Sequence, residues 1–394
     1  MSPPVPPGQS WKRQLPVSVA RIGWILLVSG IILCAGAYLA DPRRSAFNNI
    51  VLYLFLASVA GGSIFLVALE YVAGAVWSVP LRRVNEFLSA LAPVVPLLAI
   101  PVLFNLHDVF HWTQPGAVAA DQLLIEKQPY LNIPFFVVRF LIVSLLWGLF
   151  AMLFTRNSVK QDVSRDQNLT RRNTRLGAIF MPLFAVSVTV LAIDWAMSIE
   201  PHWYSTIFGV YFFSGTVLAG VATATLIVVL LHEGGYLPPL RPDHLYSLGA
   251  LLFAFVNFWA YIAFSQFLLI WYANLPEETF WFMKRWSHGW QYVSVLLIVT
   301  QFAVPYFALL AQDAKMNPKR LKLMAIWILA AHFLDVYWLV MPSFDGGVPV
   351  SWIEFSYPVL GVGLVIVVLA SRMNKYNLVP VGDPKLERGL SFHL

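Results

Sequence analysis

Ten long apolar runs separated by short polar stretches make up most of this chain. They cover residues 20–40, 49–72, 84–106, 133–155, 176–197, 206–232, 245–272, 289–311, 320–340 and 353–371. A helix needs about 20 apolar residues to cross the hydrocarbon core of a bilayer. Inside lipid every backbone N–H and C=O must be satisfied within its own segment, which makes helix the structure that fits. The two-residue alternation of an outer-membrane barrel is absent. The pattern therefore predicts an all-α integral membrane protein with ten transmembrane helices. Residues 1–19 read as a polar, proline-rich N-terminal segment, 20–371 as the membrane domain and 372–394 as a C-terminal tail. The first run is long enough to span, and no small-residue cleavage site with a mature domain follows, so it reads as a helix and not as a removable signal.

Composition narrows the class. Of 394 residues, 59% are hydrophobic and 12% charged, whereas soluble chains carry roughly 45–50% and about 25%. This excludes a soluble enzyme, a nucleic-acid-binding protein and a disordered chain. The net charge of +6 reports topology instead. Twenty of the 26 basic residues fall on the side of the termini, five fall opposite (Arg43, Arg44, Lys127, Lys284 and Arg285), and Arg139 lies within a run. Basic loops stay in the cytoplasm, so both termini are expected there. The single cysteine, Cys34, allows no intrachain disulfide and no iron–sulfur cluster, which needs about four cysteine ligands. No CxxCH haem-attachment sequence occurs. A cysteine-bound redox centre would have to belong to another subunit.

Small residues cluster in the second run (Ala57, Ser58, Ala60, Gly61, Gly62) and in the sixth (Gly215, Ala219, Gly220, Ala222, Ala224), which reads as close helix packing. Pro93, Pro96 and Pro101 are expected to kink the third helix. The longest loops are 156–175 on the terminal side and 107–132 on the other.

Ionisable groups within the membrane cost roughly 2.5–3.5 kcal/mol each on insertion scales, so each raises a functional question. His107, Asp108, Arg139 and Asp194 all fall in the outer half. If the third helix continues past residue 106, His107 and His111 share a face at i,i+4. Arg139 lies about 9 Å inside the fourth run, where it either snorkels outward or pairs with Asp108 or Asp194. His332 and Asp335 form an i,i+3 pair in the ninth run. Glu354 opens the tenth, and Glu70 falls in the cytoplasmic half of the second. The bland reading of each is a helix end meeting water, or an interhelical tie; Asn257, Gln266 and Gln301 read as such ties. The functional reading is a site for a lipid quinol. That ligand needs a flat apolar slot, an acceptor for each hydroxyl and bases that titrate near neutrality. On this reading His107, Asp108, Arg139 and Asp194 form a candidate quinol or proton site, with Glu70, His332, Asp335 and Glu354 as a candidate proton path. No metal site is expected.

Two long segments carry a family resemblance. They are Asp194-Trp-Ala-Met-Ser-Ile-Glu-Pro-His-Trp-Tyr-Ser-Thr-Ile-Phe-Gly209 and the aromatic-rich run from Phe253 to Thr279. Both are similar to the large membrane subunits of bacterial alternative complex III. Length and span count resemble the ActF-type subunit within the NrfD/PsrC-like superfamily. The resemblance implies two four-helix bundles, residues 49–155 with 176–197, and residues 206–340, flanked by the first and tenth helices. It implies a subunit of a menaquinol-oxidising complex in the bacterial cytoplasmic membrane. Menaquinone or menaquinol would be the ligand, and this chain would hold no covalently bound cofactor, haem or iron–sulfur cluster. Electrons would pass to an iron–sulfur subunit and to multihaem and monohaem cytochrome c subunits, beside an ActC-like paralogue, small membrane subunits and lipids. By position, His107, Asp108, Arg139 and Asp194 would match the outer pocket of the first bundle, with His332 and Asp335 in the second.

Three other readings remain open at this level. The chain could be a purely structural anchor of such a complex, with its polar clusters serving as ties. A proton-coupled secondary transporter would show broken helices at matching places in its two halves; the proline cluster of the third run has no counterpart in later runs. A haem b protein needs two facing histidines, and only His332 lies clearly inside a run.

Overall fold

The computed structural model describes residues 15–238, 240–344 and 346–394. Most of the expected N-terminal segment, with Lys12 and Arg13, lies outside them. The described residues form helices and no strand. Ten helical spans are long and apolar enough to cross a membrane, which makes the architecture that of an all-α multi-pass membrane protein. In chain order, spans 1 to 10 are Val17–Ala40, Pro42–Ala73, Val79–Phe104, Ile133–Ser164, Gln167–Ile199, Phe208–Glu233, Pro242–Ala273, Trp290–Leu309, Pro318–Ser343 and Trp352–Lys375.

Several spans outrun their apolar core because capping chemistry sets their ends. Asp41 caps span 2 by accepting the Arg44 amide, with Pro42 in the first turn. Asn132 caps span 4 in the same way, accepting the Phe135 amide. The charged stretch 156–175, expected as a loop, is mostly helix. Arg165 ends span 4 in the left-handed conformation, and Asp166 caps span 5 by accepting the Asn168 amide. Once a helix has left lipid, polar residues of good helix propensity carry it on.

Prolines break two spans. Span 3 is a series of short α and 3-10 pieces around Pro93, Pro96 and Pro101, ending at Asn105. A separate short helix, Leu106–Val109, follows, then extended Phe110 and a 3-10 turn at His111–Thr113. His107 and His111 therefore share no helix face. His107 meets Thr113 and His111 meets Gln114. Span 8 carries a π-helical turn, Ile298–Ala303, that ends two residues before Pro305. Proline lacks the N–H for the carbonyl four residues back and crowds it; widening the turn relieves both.

Spans 2 and 6 form the buried centre and pack on each other. A Cβ added at Gly62 would lie 2.3 Å from the Thr216 carbonyl oxygen, and one at Gly220 would lie 2.7 Å from the Gly62 carbonyl carbon. The small-residue clusters are thus the contact that lets the two backbones meet. Spans 3, 4 and 5 lie around span 2; spans 7 and 9 lie against span 6, with span 8 against 7 and 9. Spans 1 and 10 pair with each other. The C-terminal tail is docked under the terminal end of the bundle. Asp383 meets Arg82, Lys385 reaches the Gly74 carbonyl, and His244 Nε2 contacts the Gly389 carbonyl.

Candidate functional site

Asp335 of span 9 is 1% exposed and receives donors from two other spans. Its Oδ1 accepts the Tyr211 hydroxyl from span 6, and its Oδ2 accepts Trp259 Nε1 from span 7 at 3.0 Å. One turn earlier, His332 Nδ1 stands 3.7 Å from Asp335 Oδ2, beyond hydrogen-bond reach. Both ring nitrogens of His332 are buried without a hydrogen-bond partner. Gly215 of span 6 makes room for that ring: a Cβ there would lie 2.8 Å from His332 Cε1. A carboxylate held by two neutral donors beside an uncommitted imidazole has the composition of a proton-accepting centre.

Tyr211 and Trp259 also line a cavity of about 780 Å³, within the size range of ligand pockets, roughly 300–1,000 Å³. Its walls are mainly aromatic and aliphatic, with Phe264, Phe282, Phe302 and Trp338 among them. Its few polar groups include Asn257, Gln266, Arg285 and Ser294. Gln266 is 3% exposed, and its Oε1 has no partner.

Arg285 is the least expected member. It lies between spans 7 and 8, and it is 1% exposed. Its Nε, Nη1 and Nη2 donate to the carbonyls of Trp338, Trp281 and Leu339 at 3.1, 3.0 and 2.7 Å. Those carbonyls belong to the last turns of Pro276–Lys284 and Pro318–Val340. Carbonyls there lack helical partners and carry the negative end of the helix dipole. The guanidinium also stacks 3.3 Å from the Trp281 ring centre. Burial pulls the Arg285 pKa well down from the usual arginine value, while the charge of Glu200 acts the other way. Among the described residues no carboxylate is paired with it.

The predicted outer site of the first half is differently built. Arg139 grips Asp194 with two bonds, Nε to Oδ2 at 2.8 Å and Nη2 to Oδ1 at 3.0 Å. Its Nη1 donates to the Tyr130 carbonyl, and the Tyr130 hydroxyl donates back to Asp194 Oδ1 at 3.0 Å. Of the two carboxylates at a suitable depth, Asp194 is therefore the partner. Burial, helped by the Asp194 charge, raises the Tyr130 hydroxyl's pKa and keeps it a donor. The pair is buried, and both partners spend their hydrogen bonds on each other and on Tyr130. His107 and Asp108 are exposed and join neither group; the Asp108 carbonyl accepts from Arg43. A void of about 20 Å³ beside Tyr53 and Trp147 has room for roughly one water.

Glu70 and Glu354 are likewise paired. Arg82 Nη1 bonds Glu70 at 2.9 Å, and its Nη2 bonds Asp383 at 2.6 Å. Arg83 bonds Glu86 at 3.0 Å and Asp162 at 2.6 Å. This buried network ties spans 2, 3 and 4 to the C-terminal tail. Glu70 also borders a cavity of about 210 Å³ with Trp77 and Asn85. Glu354 closes a capping box with Ser351 and takes Arg44 Nε and Nη2 at 2.7 and 2.6 Å.

The structure thus joins Arg139 with Asp194, brings His332 close to Asp335, and leaves Glu70 and Glu354 in separate places. Among the described residues no group of three His, Cys, Asp or Glu side chains converges as a metal site. Sequence reasoning missed Tyr211, Trp259 and Arg285, and read Gln266 as a tie. One signal was present: Arg285 stands between Trp281 and Trp286, which is unusual company for a loop cation. No protein-family profile matches the chain. No curated protein matches it either.

Proposed function

We propose that the chain is an integral membrane subunit of a menaquinol-oxidising complex of the alternative complex III type, and that Asp335 takes a proton from the quinol. The observation that carries this reading is the buried Asp335 reached through Tyr211 from an aromatic-lined cavity of about 780 Å³. The quinol O–H bond breaks, Tyr211 takes that proton and hands its own to Asp335, and the carboxylate becomes neutral. The quinol is left as its monoanion. Oxidation of that monoanion would send two electrons to iron–sulfur and haem centres held by partner subunits and release the ring's second proton, which follows the same Tyr211–Asp335 route once His332 has taken the first. The distribution of basic residues supports a cytoplasmic-membrane location with both termini in the cytoplasm. Asp335 then lies in the periplasmic half.

A mild-detergent pull-down of the tagged chain, read by mass spectrometry, tests the assignment. It predicts an iron–sulfur subunit, multihaem and monohaem cytochromes c and a paralogous ActC-like membrane subunit. Recovery of the chain alone would contradict it.

A second reading, that of a structural anchor in the same complex, is favoured by the mutual satisfaction of Arg139–Asp194 and Arg44–Glu354. A complex whose turnover is indifferent to Asp335→Asn supports the anchor.

A further inference from the structure

We infer that the large cavity of the second half binds the quinol ring itself, its two oxygens shared between the Arg285 guanidinium and the Gln266 amide. This inference rests on the functional reading above and says where the ligand is held.

The argument begins with unspent hydrogen-bonding capacity. A guanidinium has five N–H donors. Arg285 spends three on carbonyls, which leaves two, and the residue lines the cavity. A buried cation with no carboxylate partner is costly unless something else answers its charge. Two helix C-termini answer part of it, and an oxygen in the cavity would answer more. Gln266 supplies the complementary group. Its Oε1 is buried and unpartnered, and a buried unmade hydrogen bond costs about 1–3 kcal/mol. An amide presents an acceptor and donors at one end. By turning its terminal torsion it can pair with the hydroxyl of the reduced ring or with the carbonyl of the oxidised ring. The site therefore holds the ring through the reaction without rebuilding itself.

The walls select the same ligand. Aromatic residues dominate the lining, and flat rings prefer offset or edge contacts with such walls. A phospholipid headgroup could also engage Arg285. Its phosphate would place a second negative charge on the cavity side of Tyr211 and Trp259, whose other partner is Asp335, and like charges repel. A neutral hydroquinone meets no such repulsion. The hydroxyl nearest Tyr211 is then the one whose proton passes to Asp335.

The test is photolabelling of the purified native complex with an azido-naphthoquinone carrying a short isoprenoid tail, followed by peptide mapping. Label is expected on the cavity-lining stretches 257–267 and 282–302 of this chain. Gln266→Leu removes the amide without disturbing a bond made elsewhere and is expected to lower labelling about tenfold. Ala263→Phe fills the cavity and is expected to abolish it. Arg285→Gln risks misfolding because Arg285 ties two helix ends, so the first two variants decide. Undiminished labelling in both, or label confined to the Tyr53–Trp147 region of the first half, overturns the inference. So does a tightly held phospholipid that keeps the probe out. If the partner subunits co-purify while the label maps elsewhere, the location fails and the functional reading stands. If neither partners nor label are found, both fail.

Discussion

Tyr211 and Asp335, 124 positions apart, join spans 6 and 9 through one buried hydrogen bond. The bond turns the phenol of a cavity wall towards a carboxylate that has no cationic partner in hydrogen-bond contact. Tyr211→Phe leaves Asp335 with Trp259 alone. Hydrogen bonds to charged groups contribute about 1.5–3 kcal/mol, so a lowered thermal midpoint in detergent is expected. Trp259→Phe should act in the same direction. A midpoint unchanged in both variants would mean that the carboxylate is already neutral or otherwise solvated.

Arg139 and Asp194 make a different prediction. Their bonds are bidentate and buried, and removing one partner of such a pair typically costs about 3–5 kcal/mol. Arg139→Met and Asp194→Leu should each lower thermal stability sharply, while the double variant recovers most of the loss. A double variant as unstable as either single one would show that the pair does more than cancel its own charge.

The contact between spans 2 and 6 is tested by one methyl group. Gly62→Ala places a Cβ 2.3 Å from the Thr216 carbonyl oxygen, and overpacking of this kind costs about 1–3 kcal/mol. Gly116→Ala adds its Cβ in open space, but at a positive φ of 81°, so its own cost is backbone strain and not packing. Thermal melts that show no loss for Gly62→Ala would mean the central helices separate easily.

How much of this was legible in the sequence follows from the range of the interactions. The ten spans came from local hydropathy, and the kinks of span 3 from its prolines. Arg139 and Asp194 were each conspicuous as charges in apolar runs, and depth arithmetic brought them level. Asp335 and His332 were visible as a helical pair. Arg285 and Gln266 were not, because their meaning depends on tertiary contacts. Arg285 is held by carbonyls more than 50 positions away, and Gln266 matters because its amide oxygen was left unpaired. The π-turn was hidden for a similar reason: Pro305 marks the place, but which turn widens depends on the packing of spans 7 and 9.

The loops opposite the termini carry a pH prediction. Asp121 accepts His202 Nε2 at 2.5 Å and the amides of Leu123 and Leu124. The His202 bond first, and the two amides after it, hold the Asp121 carboxyl below its ordinary value. A depressed folded-state pKa contributes stability that is fully present above the unfolded value, about 3.9, and is lost as pH falls through the folded value. Hydrogen exchange corrected for intrinsic rates should show steady protection of residues 122–127 from pH 7 to 5 and a loss below about pH 4. Asp121→Asn should lack that step. A loss already complete at pH 6 would assign the tether to another group.

The most direct test compares menaquinol oxidation by complexes carrying Asp335→Asn and Asp194→Asn, each measured well below its melting temperature. Asp335→Asn is expected to keep assembly and lose turnover by tenfold or more, because the carboxamide cannot take the quinol proton. Asp194→Asn is expected to melt earlier and turn over near the wild-type rate. Full turnover with Asp335→Asn, together with its loss in a correctly assembled Asp194→Asn complex, would contradict the account and return the quinol chemistry to the first half of the chain.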